Sequence, residues 1–109
     1  MKIIIVGAGP VGCYTAQLLK KSGINPILIE EHKEIGRPVH CAGVVGGELF
    51  KESKIDLPLK NFIKSQLDGA KIFYGKESFK LKRKAVAYVI DREAFDKALG
   101  IGLDVIHRR

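Results

Sequence analysis

Residues Lys2 to Glu30 constrain this chain more than any other stretch. An apolar run, Ile3-Ile4-Ile5-Val6, breaks on Gly7-Ala8-Gly9-Pro10-Val11-Gly12. Apolar positions at near-helical spacing follow (Val11, Tyr14, Ala16, Leu18, Leu19), and a second apolar run, Pro26-Ile27-Leu28-Ile29, closes on Glu30. Strand, glycine turn, helix and a strand ending on an acid is the layout of a dinucleotide-binding βαβ unit. Gly7 permits the tight turn out of the strand, Gly9 removes the Cβ where a pyrophosphate approaches, and Gly12 lets the helix pack closely. The free N–H groups and positive dipole end of that helix face the phosphates. Glu30 stands 18 residues after Gly12, close to the roughly 20 expected for the carboxylate that accepts from ribose hydroxyls.

The flanking signals agree. Lys20 and Lys21 suit the negative end of the helix dipole, Gly23 is a natural stop, and Asn25-Pro26 turns into the second strand. That strand is apolar throughout, as a parallel strand covered on both faces is. Cys13, in the first helical turn, reads as a small core residue.

Residues 31–43 have no sustained period and contain glycine and proline, which makes them a loop. They emerge from the C-terminal end of the second strand, where open α/β sheets bind ligands. Arg37 offers a planar fork for a phosphate and Cys41 a soft nucleophile. Beyond the loop, Glu48 to Glu52 suggest a short helix and Leu57-Pro58-Leu59 breaks it. Ala70 to Tyr74, Phe79 to Lys82 and Ala85 to Ile90 read as strands, with Gly75 to Ser78 as a hairpin loop. This antiparallel group does not continue the βαβ pattern and is expected to form a separate small sheet. Asp91 caps a helix over Arg92 to Leu99, and Leu103 to Ile106 begin another strand. The expected fold is therefore α/β: a Rossmann-like βαβ unit with an incomplete parallel sheet, plus a small antiparallel hairpin or sheet. In domain terms, 1–109 is a single incomplete nucleotide-binding domain. Residues 1–43 form the βαβ unit and cofactor loop, 44–90 an inserted helix and antiparallel strands, and 91–109 a return helix and truncated strand.

Composition narrows the classes. A chain of 109 residues is at most one domain, and no apolar run approaches the roughly 20 residues that span a bilayer. The apolar start breaks at Gly7 and has no basic region before it, which points to a cytoplasmic protein. Two cysteines and three scattered histidines make neither a disulfide framework nor a metal site. The net charge is +7. From Lys51 to Lys84 there are ten Lys/Arg against four Asp/Glu, a surplus that serves either as a solvated face or as contact with an anionic membrane. Nothing marks a nucleic-acid reader.

Three separated pieces carry a resemblance: I-I-V-G-A-G-P-V-G (4–12), L-I-E-E-H-K-E-I-G-R-P-V-H-C-A-G (28–43) and Y-V-I-D-R-E-A-F-D-K-A-L (88–99). Together they resemble the start of the geranylgeranyl reductase family of flavoproteins, within the aromatic-hydroxylase-like FAD superfamily. The middle piece is the specific one, with Cys41 in the position near the flavin. The resemblance implies FAD as cofactor, its pyrophosphate on Gly7 to Gly12 and its adenosine ribose on Glu30. Cys41 and Ala42 would line the site, Cys41 with a catalytic part, and Arg92 would reach the cofactor from the helix after the third strand. Val11 and Val44 would touch it through their backbones. The implied activity is reduction of isoprenoid double bonds on a prenyl lipid, archaeal ether lipid or similar. Complete members are several times longer, with a later G-D motif and a lipid-binding domain that this sequence lacks. Two alternatives stand beside that reading: a truncated, non-catalytic remnant with residual nucleotide binding, and the N-terminal part of a flavin-dependent monooxygenase. A complementing chain or self-association would cover what the missing strands leave bare.

Overall fold

The structure, a computed structural model, describes residues 1–108; Arg109, the last residue of the expected domain, lies outside the described residues. Strand β1 (Ile4–Val6) leads through the glycine turn into helix α1 (Pro10–Lys21), and β2 (Ile27–Glu30) returns beside β1. After the loop come β3 (Val44–Gly46), the short helix α2 (Glu48–Glu52) and a 3-10 turn (Leu59–Phe62). Two long strands, β4 (Ile63–Tyr74) and β5 (Glu77–Ile90), precede helix α3 (Arg92–Gly100) and strand β6 (Asp104–His107).

The elements assemble into two three-stranded sheets. In the first, β1, β2 and β6 are all parallel with β2 central, and Ile5, Leu28 and Val105 stand in register across it. Those three side chains point at the helices. Leu28 is fully buried with Cys13 and Ala16 of α1, and Leu99 and Phe95 of α3 are buried beside them. Phe62 meets Phe95 edge to face at 5.8 Å between ring centroids, a favourable aromatic geometry. The opposite face of the sheet is bare: Ile4 is 60% exposed and Val6 84%.

This corrects the expectation that β2 is covered on both faces. Its burial alternates, Leu28 and Glu30 buried and Ile27 and Ile29 half-buried, because α1 and α3 lie on one side of the sheet. A one-sided sheet imposes period-two burial on a strand even where every residue is apolar.

The second sheet is antiparallel in the order β3-β5-β4. The expectation of three strands over 70–90 is corrected here. Phe79 to Lys82 and Ala85 to Ile90 belong to one strand, β5, and the third strand of the sheet comes instead from Val44–Gly46. A kink at Ala85, with φ +53, marks the join, and the register of β4 on β5 shifts between Leu67 and Gly69. The Asp68 carboxylate accepts the Ala85 N–H at 2.7 Å, so a side chain takes up the donor that the bulge removes from the ladder. The helix cap was legible: Asp91 accepts from the Ala94 N–H at 3.1 Å.

Candidate cofactor site

The glycine turn joins β1 to α1 through two positions that only glycine fills. Gly7 has φ +97, a left-handed conformation costly to any residue with a Cβ. A Cβ on Gly12 would lie 2.0 Å from the Gly7 carbonyl oxygen, so the helix starts in direct contact with the turn. Pro10 is the first helical residue and no acid stands in the first turn. The amides of Val11 and Gly12 have no carbonyl one turn earlier in the helix to accept them. The helix end therefore presents N–H groups and positive dipole to whatever lies before it.

What lies before it is an open cavity of about 630 Å³, lined by the turn, the end of β2, loop residues 31, 32 and 34–41, Arg92 and Asp96 of α3, and Arg108. Glu30 forms its far wall. Glu30 is buried, 7% exposed, and its carboxylate accepts from the Ala8 N–H at 2.7 Å, the His32 N–H at 2.9 Å and the His32 ring at 2.7 Å. Burial pushes the Glu30 pKa up. The amide hydrogen bonds from His32 and Ala8 and the His32 ring outweigh it, and the net shift is below the ordinary carboxylate value.

On the other side, the loop is tied to α3. Arg37 Nε donates to Glu93 at 2.6 Å, and Lys97 reaches the same carboxylate at 2.8 Å. Arg92 holds Asp96 through two bonds, at 3.1 and 3.2 Å. Asp96 is 7% exposed, so the pair sits in the wall of the cavity rather than in water. Asp96 raises the Arg92 pKa above its ordinary value; burial opposes this, and the Cys41 thiol beside the guanidinium adds to it. Cys41 itself is exposed and donates nothing to the core, while Cys13 is buried. Cys13 is pushed up to about 11, first by burial and then by the nearby Asp96 and Glu30 charges. It is a core thiol whose Sγ lies 3.2 Å from the Ala8 carbonyl.

Of the residues expected at the site, Gly7, Gly9, Glu30, Arg37, Cys41 and Arg92 line this one cavity, although they come from positions 7 to 92. Gly12 stands directly behind the turn. Val11 is 81% exposed and lines an adjoining apolar hollow between α1, α2 and α3. Ala42 and Val44 lie outside the cavity lining; Val44 pairs with Val89 in the second sheet. His32, Asp96 and Arg108 are among the lining residues that the sequence did not assign to the site. Asp96 had a signal, since it stands four residues after Arg92, where helix side chains meet. Arg108 had none, because only the pairing of β2 with β6 brings its segment to Glu30; the Arg108 N–H donates to the Glu30 carbonyl oxygen at 2.6 Å.

The polar groups fit a dinucleotide: donor amides and a helix dipole for phosphates, an acceptor carboxylate for a sugar, and arginines opposite. Residues 1–43 match the FAD-binding-domain family. The fold and this cavity thus define an FAD-binding α/β domain of the Rossmann type, and FAD is the cofactor of that class. Among sequences, the chain is 36% identical over 103 residues to the digeranylgeranylglycerophospholipid reductase of Methanosarcina mazei, covering 89% of this chain and 25% of that protein. It is 35% identical over 101 residues to the enzyme of the same name from Methanocaldococcus jannaschii, covering 91% and 25%. Among solved structures, a geranylgeranyl bacteriochlorophyll reductase-like protein of Thermoplasma acidophilum superposes with a TM-score of 0.81 at 31% identity, over 95% of this chain and 29% of that one. A flavoprotein/dehydrogenase of Cytophaga hutchinsonii superposes with a TM-score of 0.63 at 25% identity, over 98% and 30%. In sequence and fold, the chain is similar to the N-terminal part of proteins named as geranylgeranyl reductases. It spans about a quarter of the length of the curated relatives it matches.

Proposed function

We propose that this chain is the FAD-binding module of an oxidoreductase of the geranylgeranyl reductase type, which reduces isolated double bonds of a prenyl lipid such as an archaeal ether lipid. The observation that carries the proposal is the convergence of Cys41 and Arg92 on the cavity that the glycine turn and Glu30 form. Bound there, reduced FAD supplies the hydride for such a reduction. The chain's own residues do the holding. Gly7, Gly9, Val11 and Gly12 present backbone to the pyrophosphate, Glu30 accepts from the adenosine ribose, and Arg37 and Arg92 face the anionic middle of the cofactor. Ala42 and Val44 flank the flavin end with Cys41, whose thiol beside Arg92 is the candidate catalytic group.

The bare face of the parallel sheet favours completion by further polypeptide, either a complementing chain or a second copy. An uncovered edge and apolar face invite association. Without that completion the chain is a binding module with weak FAD affinity and no turnover. The test is flavin-fluorescence quenching on titration of FAD, with the isolated chain and after co-expression with the C-terminal three quarters of the Methanosarcina mazei relative. Tightened binding on co-expression supports a module; FAD binding by neither preparation sinks the proposal and leaves the remnant reading.

The hairpin of β4 and β5 supplies a second, peripheral contact in this proposal. Phe73, Tyr74 and Phe79 are 67%, 87% and 56% exposed among Lys71, Lys76, Lys80 and Lys82, and Lys71 Nζ stands 5.0 Å above the Phe73 ring. No helix among the described residues is long and apolar enough to cross a membrane. Aromatic and basic side chains together suit the interface of an anionic leaflet on the cytoplasmic side. Sedimentation with phosphatidylserine vesicles tests it: salt-sensitive binding lost on Phe73→Ser supports the contact, and no binding at low salt ends it.

A further inference from the structure

Glu30 is more fully engaged than a ribose-binding acid can be while it binds ribose. Each carboxylate oxygen has two lone-pair directions. Oε2 takes the Ala8 N–H and has one direction left. Oε1 takes both the backbone N–H and the ring nitrogen of His32, at 2.9 and 2.7 Å, and has none. A ribose offers two neighbouring hydroxyls as donors, so one of the three present bonds must yield to it. The two amides are held by the fold: Ala8 is 1% exposed in the turn, and the His32 amide leaves β2 directly. The imidazole is different. Its side chain is 41% exposed, it stands in a loop without regular structure, and a change of χ1 carries it into solvent.

Resting on the nucleotide reading above, we propose that the His32 ring holds the place of a ribose hydroxyl on Glu30 Oε1 and is displaced when the adenosine half of the cofactor binds. The ring keeps a buried carboxylate satisfied before the ligand binds, at the cost of competing with it. The groups that face the ring come from β2, the loop and β6. Glu30 of β2 touches Nδ1, and Glu31 of the loop lies 3.9 Å from Nε2. On the β6 side, the His107 ring bonds the His32 carbonyl oxygen at 2.7 Å, and Arg108 lines the same cavity.

Two substitutions separate displacement from mere support of Glu30. His32→Phe keeps a ring of similar size and removes the donor; His32→Asn keeps a donor near the position of Nδ1. ADP, which carries the ribose without the flavin, is titrated calorimetrically at pH 8, with circular dichroism melts to show that each variant is folded. In His32→Phe, ADP binds about tenfold tighter than in the wild type, as expected when one competitor for Glu30 is removed. His32→Asn restores the weaker binding. ADP binding that weakens in His32→Phe, or stays at the wild-type affinity, overturns the displacement and leaves the FAD-module reading standing. If no variant binds ADP, FAD or adenosine, both fall together.

Discussion

Substituting the glycines of the turn one at a time separates its two jobs, and the structure assigns opposite outcomes to neighbouring positions. In Gly12→Ala the new Cβ would sit 2.0 Å from the Gly7 carbonyl oxygen and 3.1 Å from its carbon. Both are backbone atoms of a turn that is itself held by the Gly7 N–H to the Ile29 carbonyl oxygen at 2.8 Å. No flexible side chain can give way, so α1 must shift against β1. Overpacking of this kind costs about 1–3 kcal/mol, and a backbone-on-backbone clash belongs at the upper end. Alanine returns up to about 1 kcal/mol of helix propensity, which leaves a net loss of about 2 kcal/mol. For a domain of this size that lowers Tm by roughly 8–16 °C. In Gly9→Ala the Cβ meets nothing within 4 Å, and φ −73 suits alanine. Its stability should stay within about 0.5 kcal/mol of wild type, while its Cβ projects where phosphate is to approach and ADP affinity falls about tenfold or more. Circular dichroism melts and calorimetric ADP titration read the two effects independently. A Gly12→Ala protein that melts with the wild type, or a Gly9→Ala protein that loses stability and keeps its nucleotide affinity, would refute the reasoning.

Arg92→Ala strands Asp96, which is 7% exposed, and should cost about 2 kcal/mol as an unpaired, mostly buried charge; adding Asp96→Asn should recover part of the loss, and a double-mutant cycle showing no coupling would remove the pair from the account. Glu30 has a folded pKa below its unfolded value of 4.5, so its contribution is fully present above about pH 4.5 and is lost as pH falls through the folded value. Acid unfolding of Glu30→Gln should accordingly show a weaker pH dependence below pH 4.5 than wild type, and superimposable acid transitions would contradict this. Native protein at pH 8 should titrate one thiol rapidly with a disulfide reagent, the exposed Cys41. Cys13, raised to about 11 and buried, should react only after unfolding; two fast thiols would show that the core around α1 opens.

The sequence by itself determined the βαβ unit and the cap of α3, because the signals for both are local. Glycines at fixed spacing, an acid at the end of a strand and an aspartate before a helix act through backbone geometry within a few residues. It also singled out Glu30 by its spacing, Cys41 by its place in the loop after β2, and Arg92 through a resemblance. The tertiary structure decided what depends on distant pairing. Residues 79–82 and 85–90 became one strand because β4 runs the length of both and Asp68 takes up the Ala85 amide at the bulge. Val44–Gly46 became a strand because β5 offered it an edge; three residues carry too little pattern to announce it. β2 is buried on one face only, since nothing in an apolar run says how many layers will cover it. The same holds at the site. That Glu30 is an acceptor was legible, but the partners already on its oxygens were not, because a hydrogen-bond ledger exists only once Ala8, His32 and the end of β6 have been folded around it.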